Sequence, residues 1–144
     1  MANTRGASTR GDGSALRCLK QVGLRPTRQR LALAGLLFGD SHRHVTAEAL
    51  HAEAVDAGVR VSLATIYNTL HQFVKVGLLD EVVVDPGKSY FDTNTAEHHH
   101  FYHEDIGRLE DIPGSSVVLG RLPDPPAGKR IASVDVVIRV TGDR

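Results

Sequence analysis

The 144-residue sequence predicts an α+β protein, and two observations support this fold class. Helical periodicity with capping residues recurs three times between residues 27 and 77, and the third of these helices has an uncharged polar face. The period then becomes that of strands, in two runs joined by the turn sequence DPGK. Three helices followed by a hairpin are the layout of a winged helix-turn-helix. After it we expect a small C-terminal antiparallel α/β domain for dimerisation.

The composition is that of a globular protein, with 41% hydrophobic and 24% charged residues. No apolar run is long enough to span a membrane, and the N-terminus lacks the apolar core of a signal peptide. The single cysteine, Cys18, excludes an intramolecular disulfide and a Cys-rich structural zinc site. We therefore expect a cytoplasmic protein.

The net charge of zero hides an uneven distribution. Residues 1–30 carry seven basic residues and one acidic residue, whereas the rest of the chain carries ten basic and sixteen acidic residues. A basic end on an acidic body indicates contact with a polyanion near the start of the chain. A solvated tail is the alternative, and we expect residues 1–13 to form a flexible basic arm.

The first predicted helix covers residues 14–22, and the second begins around Thr27. Residues 31–38 are apolar nearly all round, as in a central buried helix. Positive charge at the start of a helix opposes the helix dipole, which favours a nearby anion such as phosphate; a solvated cluster is the alternative. The cations at the start of this helix are Arg25, Arg28 and Arg30.

The next two helices begin at the predicted N-caps Thr46 and Ser62 and end at Gly58 and Gly77. The last of them has an apolar stripe formed by Leu63, Ile66, Leu70 and Phe73. Another face carries short hydrogen-bonding side chains suited to base edges in a major groove, namely Thr65, Asn68, Thr69 and Gln72. An ordinary amphipathic helix with a solvated polar face is the alternative.

The region after the hairpin predicts two strands around a glycine turn over residues 95–112, then a short helix over residues 115–122. Residues 131–140 form a third strand, in which Val134, Val136, Ile138 and Val140 alternate with polar residues. A three-stranded sheet of this size cannot bury both faces alone. We therefore expect it to pair with a second copy of the chain in a homodimer.

The densest cluster of metal-ligand residues is a histidine run. On a strand, the period of two places His98 and His100 on one face, and His99 and His103 on the other. Two imidazoles two residues apart on a rigid strand are spaced to bind one ion. A solvent-exposed His-rich loop is the alternative.

Several separated motifs, in one order, resemble the ferric uptake regulator (Fur) family. They are RPTRQRLAL, HVTAEAL, VSLATIYNTL, and GKSYFDT followed by the histidine run, and together they cover about residues 14–140. GLRPTRQR, SLATIYNTL and YFDTNTAEHHHFY, with a short C-terminal half, look most like the iron response regulator (Irr) branch.

The resemblance implies a metal- or haem-responsive transcriptional regulator of iron homeostasis genes, acting as a repressor and not as an enzyme. Residues 14–93 would form the winged-helix DNA-binding domain, and residues 94–144 the dimerisation and sensing domain. The hinge would lie near residues 92–95. The partners would be a double-stranded DNA operator and a second copy of the chain, with no membrane.

In Fur-type regulators the regulatory metal bridges the two domains. The positions that match its ligands are His44, Asp92, His98, His100 and Asp111. Mixed histidine and carboxylate ligands suit iron, manganese or zinc.

Two departures from the family pattern limit the other metal sites. The chain has no Cys-x-x-Cys motif, so we expect no Cys-type structural zinc. Phe101 and Tyr102 replace the acidic residue that usually follows the histidine run, which removes a ligand of the family's second site.

Haem is a second ligand implied by the resemblance to iron response regulators, through His98 and His100. A Cys-Pro haem motif is absent, since Leu19 follows Cys18. A second metal or haem site would draw on His98, His99, His100 and His103.

By the family's pattern, Tyr67 and Asn68 reach the DNA groove, and Arg25 reaches the minor groove or the backbone. Asn68 can pair bidentately with adenine. The full set of expected DNA-binding residues is Arg25, Thr27, Arg28, Arg30, Ser62, Thr65, Tyr67 and Asn68.

Two alternative functions involve metal without DNA: a metal buffer and a His/Asp metallohydrolase. No nucleophile or general base is arranged around the histidine run beyond the ligands themselves, which argues against the hydrolase. A metal buffer would leave DNA affinity unchanged when the metal is released.

Overall fold

A computed structural model describes residues 13–143, so the predicted arm over residues 1–13 falls outside it except for its last residue. The chain divides into two compact units, the first ending at Thr95 and the second beginning at Ala96. The boundary predicted from the sequence lies two residues earlier. Within the described range, no helix has the length and apolar character needed to cross a membrane.

In its described residues, 13–95, the N-terminal unit contains four helices and a three-stranded antiparallel sheet in the order β1-β3-β2. The predicted α+β class is confirmed. The helices are α1 (13–21), α2 (Arg28–Leu37), α3 (Ala47–Asp56) and α4 (Leu63–Lys75), and the strands are β1 (His44–Val45), β2 (Asp80–Asp85) and β3 (Lys88–Asp92).

Helices α2, α3 and α4 begin where the sequence predicts, because a hydroxyl side chain precedes each of them. Thr27, Thr46 and Ser62 each accept a hydrogen bond from the amide three residues later, at 3.1–3.2 Å. Gly77 follows α4 with φ +84°, the left-handed conformation that closes a helix and that glycine adopts without strain.

The core of this unit forms where α2, α3 and α4 pack, and its most enclosed side chains include Leu33, Leu37, Leu50, Leu70 and Phe73. The buried stripe of α4 is Ile66, Thr69, Leu70 and Phe73, with the i, i+3, i+4, i+7 spacing of one helix face.

Two expectations for α4 are wrong. Thr69 lies in the buried stripe rather than on the polar face, because it falls three residues after Ile66 and four before Phe73. Leu63 is 36% exposed, because it occupies the first turn, beyond the part of the helix that the core covers.

The predicted hairpin is formed by β2 and β3, which pair from Asp80–Asp92 to Asp85–Lys88. Gly87 has φ +75°, as the third position of a type II turn requires. Strand β1 adds to the other edge of β3 and completes the wing sheet.

The C-terminal unit is a second three-stranded sheet in the order β5-β4-β6. Strands β4 (His99–His103) and β5 (Arg108–Ile112) are antiparallel and turn at Gly107, as predicted, and β6 covers Val137–Val140.

Three features of the C-terminal unit differ from the prediction. The last strand covers only Val137–Val140 and not residues 131–140. Strand β6 pairs with β4 in parallel, because β5 ends beside the start of β4 and the segment of residues 113–136 has only to pass β4 to begin β6 at that same end of the sheet. The helix expected at residues 115–122 is only a 3₁₀ turn at Gly114–Ser116, since glycines at 114 and 120 and two consecutive valines between them disfavour helix.

Candidate functional site

The wing sheet carries the first group of candidate ligands, His44 and Asp92, here called the wing pair. They lie directly opposite each other on β1 and β3, with His44 Nε2 and Asp92 Oδ2 3.4 Å apart. Asp92 is fully buried, and its Oδ1 accepts a hydrogen bond from the Asn94 amide at 2.9 Å. A buried carboxylate is stable only when it is paired, so this hydrogen bond and the imidazole hold Asp92 ready to bind a cation.

Arg43 fixes the wing pair to the helices of the N-terminal unit. Its amide donates to Thr93 Oγ1 at 2.9 Å and its carbonyl accepts from the Thr93 amide at 3.0 Å, one step along the ladder from the wing pair. Its guanidinium donates to both Glu53 oxygens, at 2.9 and 2.6 Å, and to the Leu36 carbonyl at 3.1 Å. The hydrogen bond to Glu53 raises the pKa of Arg43 above its ordinary value. Helices α2 and α3 are thereby tied to the segment that carries His44.

The second group of candidate ligands lies on β4, on β5 and at the residue just before β4. We call it the strand triad: His98, His100 and Asp111. Asp111 stands opposite His100, and its Oδ1 is 3.1 Å from His98 Nε2 and 3.3 Å from His100 Nε2. Two donors that are each about 2.1 Å from one ion lie roughly 3–3.5 Å apart, so these distances fit a shared divalent metal.

A backbone hydrogen bond of His98 determines which of its ring nitrogens faces Asp111. His98 Nδ1 lies 2.6 Å from the Ala96 carbonyl, which can only accept, so Nδ1 carries the hydrogen. A neutral His98 then has only a lone pair at Nε2, which repels the nearby Asp111 oxygen. A proton or a metal ion between the two atoms makes the contact favourable. A backbone hydrogen bond at one ring nitrogen is the usual way in which metal-binding histidines are oriented.

The other two histidines of the run occupy the opposite face, as the strand period predicts. His99 is buried, and its Nδ1 accepts the Val136 amide at 3.1 Å, which attaches the start of β6 to β4. His103 Nε2 lies 3.2 Å from Glu110 Oε1. The four histidines are therefore not gathered at one point: His98 and His100 join a carboxylate, while His99 has a structural contact.

Helix α4 presents several of the expected DNA-binding residues. The Ser62 hydroxyl caps the helix and donates to Thr65 Oγ1 at 2.9 Å. The Tyr67 hydroxyl donates to Glu48 Oε1 at 2.6 Å; this hydrogen bond lowers the pKa of Glu48 and raises that of Tyr67. Asn68 is exposed, and its side chain has no hydrogen bond to any residue between 13 and 143. Its amide is thus available to a ligand.

The three arginines near the start of α2 have different environments. Arg30 donates to the Gln72 amide oxygen from two nitrogens, at 3.3 and 3.1 Å, and to the Arg25 carbonyl at 2.9 Å. It therefore braces α2 against α4. The guanidinium groups of Arg25 and Arg28 are exposed, and neither is paired within the described part of the chain.

The sequence that carries these groups matches a known protein family. The model of the ferric uptake regulator family matches residues 21–118. The chain belongs to the ferric uptake regulator family. The match includes the wing pair, the strand triad and helix α4, so all the candidate ligands described above lie within it.

Individual relatives agree with this assignment. The peroxide-responsive repressor PerR of Staphylococcus aureus is 36% identical over 94 residues, which are 65% of this chain and 63% of that protein. This chain therefore spans less than two thirds of the length of that curated relative. Since the sequence relatives include peroxide-responsive repressors, placement in the iron response regulator branch stays a prediction.

Solved structures of the family share the fold. The ferric uptake regulator from Pseudomonas aeruginosa with manganese has a TM-score of 0.68 and 23% identity, over 90% of this chain and 98% of that one. The Vibrio cholerae ferric uptake regulator also has a TM-score of 0.68, with 22% identity over 88% and 98%.

Sequence reasoning missed three residues that the structure places beside the candidate sites of this Fur-family chain. Arg43 immediately precedes the ligand candidate His44, and Glu48 holds Tyr67. Arg60 lies two residues before the N-cap of α4. Only Arg60 gave a signal in the sequence, as a cation next to a helix predicted to contact DNA.

Proposed function

We propose that this chain is a metal-responsive, DNA-binding transcriptional regulator that acts in the cytoplasm as a homodimer and represses genes of iron homeostasis. The observation that carries the proposal is the strand triad, in which two imidazole nitrogens converge on one carboxylate oxygen. Membership of the Fur family supports the same function. The Irr-like iron response is the more specific part of the proposal.

The proposed sensor is a single divalent ion held by the wing pair and the strand triad together. Iron, manganese and zinc all accept such a mixed ligand set, and a Fur structure from P. aeruginosa was solved with manganese. An ion with ligands in both units would restrict how the units can be arranged. It shifts the equilibrium toward DNA binding only by its difference in affinity between the two arrangements. Because the histidines must be neutral to bind it, acid weakens its binding.

Haem fits the strand triad less well than a small ion. The rings of His98 and His100 are edge to face with their centroids 4.5 Å apart, and both side chains are nearly buried. The Asp111 oxygen already lies against both Nε2 atoms. A porphyrin would have to separate these groups, whereas an ion about 2.1 Å from each donor would not.

The proposed DNA-binding element is α4, with Asn68 and Tyr67 directed to base edges in a major groove. A dimer would bind two half-sites related by its two-fold symmetry and separated by whole turns of DNA. Glu48 keeps the Tyr67 ring in one orientation through its 2.6 Å hydrogen bond.

Selection of binding sites from a random duplex library, with Mn(II) present, tests the proposed function. We expect the protein to enrich a pseudo-palindromic sequence, and its affinity for that sequence to rise with Mn(II) concentration. Titrations with Zn(II) and haem, run in parallel, separate the candidate ligands. A metal buffer would bind Mn(II) without any change in DNA affinity, and a metallohydrolase would enrich no sequence.

The dimer has its own prediction, based on exposed apolar side chains of the C-terminal unit. Leu122 and Ile131 are 43% and 45% exposed, and four other large apolar residues of this unit are exposed as well. Replacing Leu122 and Ile131 with aspartate should produce a monomer in sedimentation velocity, because burying two carboxylates in an interface is strongly unfavourable. Val83→Asp is the control, since Val83 is 60% exposed on the wing of the other unit. A Leu122→Asp/Ile131→Asp variant that remains dimeric would contradict the assignment of this surface.

A further inference from the structure

A surface cleft of about 440 Å³ lies in the N-terminal unit, away from the wing pair in sequence. One wall comes from the first two turns of α2 and the other from the connection between α3 and α4. The cleft is lined by Arg28, Gln29, Ala32, Gly58, Val59 and Arg60.

The cleft is cationic and has no counter-charge. Within residues 13–143, no acidic side chain lines it, and the side chains of Arg28 and Arg60 form no ion pair or hydrogen bond. The other arginines near the candidate sites differ, since Arg30 and Arg43 are bonded to other side chains. Two unpaired guanidinium groups at one cleft repel each other, and an anion between them removes that repulsion.

The shape and chemistry of the cleft suit a phosphate group. A guanidinium binds a phosphate through two parallel N–H groups, and the Gln29 amide can supply a further donor. Ala32 and Val59 provide apolar surface along which the arginine stems can lie.

The cleft also lies next to the N-terminus of the helix proposed to read DNA. Arg60 is two residues before Ser62, the N-cap of α4, whose exposed side chains include Asn68. In helix-turn-helix proteins the N-terminal part of this helix enters the major groove, so residues just before it meet the backbone at the groove edge.

We propose that Arg28 and Arg60 form a clamp for one phosphodiester of the DNA backbone, beside the groove that α4 enters. The inference rests on the proposed DNA binding and extends it to Arg60, which the sequence did not single out. Both arginines are exposed, so the cleft would hold a free anion only weakly. A DNA phosphate is delivered at high local concentration by the contacts of α4, which makes a weak clamp effective.

The test measures operator affinity against salt concentration for the wild type and for an Arg28→Gln/Arg60→Gln variant. Each neutralised phosphate contributes roughly 0.9 to the slope of log K against log salt, so we expect the slope of the dimer to fall by about two. Affinity for operator and for unrelated duplex should fall by the same factor, with the base preference unchanged. Arg60→Lys should retain the slope, because lysine keeps the positive charge.

Lys75→Gln provides the matched control. Lys75 is exposed in the last turn of α4, about 18 Å along the helix from Leu63, which is more than twice the screening length in physiological salt. This variant loses one positive charge, half of what the double variant loses, and should keep the wild-type slope. Thermal melting of all variants should be unchanged, since none of these side chains has a partner in the described chain.

Three outcomes separate the explanations. If the wild type binds DNA and the double variant keeps its salt slope, the clamp is wrong while the proposed function stands. If calorimetry shows that inorganic phosphate binds the wild type but not the double variant, and the salt slope is unchanged, the cleft is a small-anion site and the clamp is again wrong. If the wild type selects no DNA sequence at all, the proposed function itself fails.

Discussion

Replacing both His98 and His100 with alanine should raise the dissociation constant for Mn(II) by at least about tenfold, because even partners that only orient a metal ligand are worth about 10–100-fold. Both nitrogens that converge on Asp111 are lost, leaving the carboxylate without an imidazole in the strand triad. We expect operator affinity to stop responding to Mn(II) while basal DNA affinity stays close to that of the wild type. Calorimetry with Mn(II) and fluorescence anisotropy with labelled operator measure the two effects.

His103→Ala is the control for this variant, since His103 lies on the same strand but on the opposite face, against Glu110. It should keep the wild-type Mn(II) affinity. Asp111→Asn distinguishes loss of a ligand from misfolding. Asp111 is 42% exposed and its replacement leaves no cavity, so this variant should fold normally. An intact Mn(II) response in both the double variant and Asp111→Asn would mean that the sensor lies outside the strand triad.

The second large effect is expected for Asn68→Ala. Loss of a bidentate contact to a base costs about 1–3 kcal/mol, and a dimer loses one such contact in each half-site. Operator affinity should therefore fall by roughly 2–6 kcal/mol, and the preference at one base pair of each half-site should disappear. The Asn68 side chain has no partner in the described chain and alanine is a better helix former, so stability should not fall.

Gln72→Ala distinguishes this base contact from a general weakening of α4. Gln72 lies one turn further along the helix and accepts two hydrogen bonds from Arg30, so its loss should lower stability without changing base preference. Binding-site selection with each variant reports the preference directly. If the Asn68→Ala variant selects the wild-type sequence with wild-type affinity, α4 does not read bases through this residue.

The parts of the fold that the sequence predicts depend on local chemistry. The N-caps Thr27, Thr46 and Ser62 act on amides three residues away, and the turn at Gly87 needs only its own positive φ. The split of the histidine run between two faces is equally local, because it follows from the period of a strand. Only the resemblance to a family predicts that the wing pair and Asp111 are ligands, since nothing near them in the sequence marks them as such.

The parts that the sequence did not predict depend on distant partners. The parallel pairing of β6 with β4 joins residues more than 35 positions apart, and the hydrogen bond from Val136 to His99 that begins it has no local pattern. The side-chain hydrogen bonds from Arg30 to Gln72 and from Arg43 to Glu53 likewise depend on how the helices pack, so no local pattern predicts them. Thr69 is the exception to this rule, because its position in the buried stripe is local, although its polar side chain suggests the exposed face of α4.

The small core of the C-terminal unit makes protein concentration part of its stability. Among its described residues, the buried apolar side chains are only Tyr102, Leu109 and Ile112. Each contributes about 1.5–3 kcal/mol on burial, whereas ordering the backbone costs about 1–2 kcal/mol for every residue fixed. If a second chain supplies the missing apolar contacts, folding of this sheet obeys mass action, and dilution alone favours its unfolding. If the proposed function holds, the cell's copy number of this protein would then act beside the metal as a second input, because a scarce protein would lose the sheet that carries the strand triad before it lost the N-terminal unit.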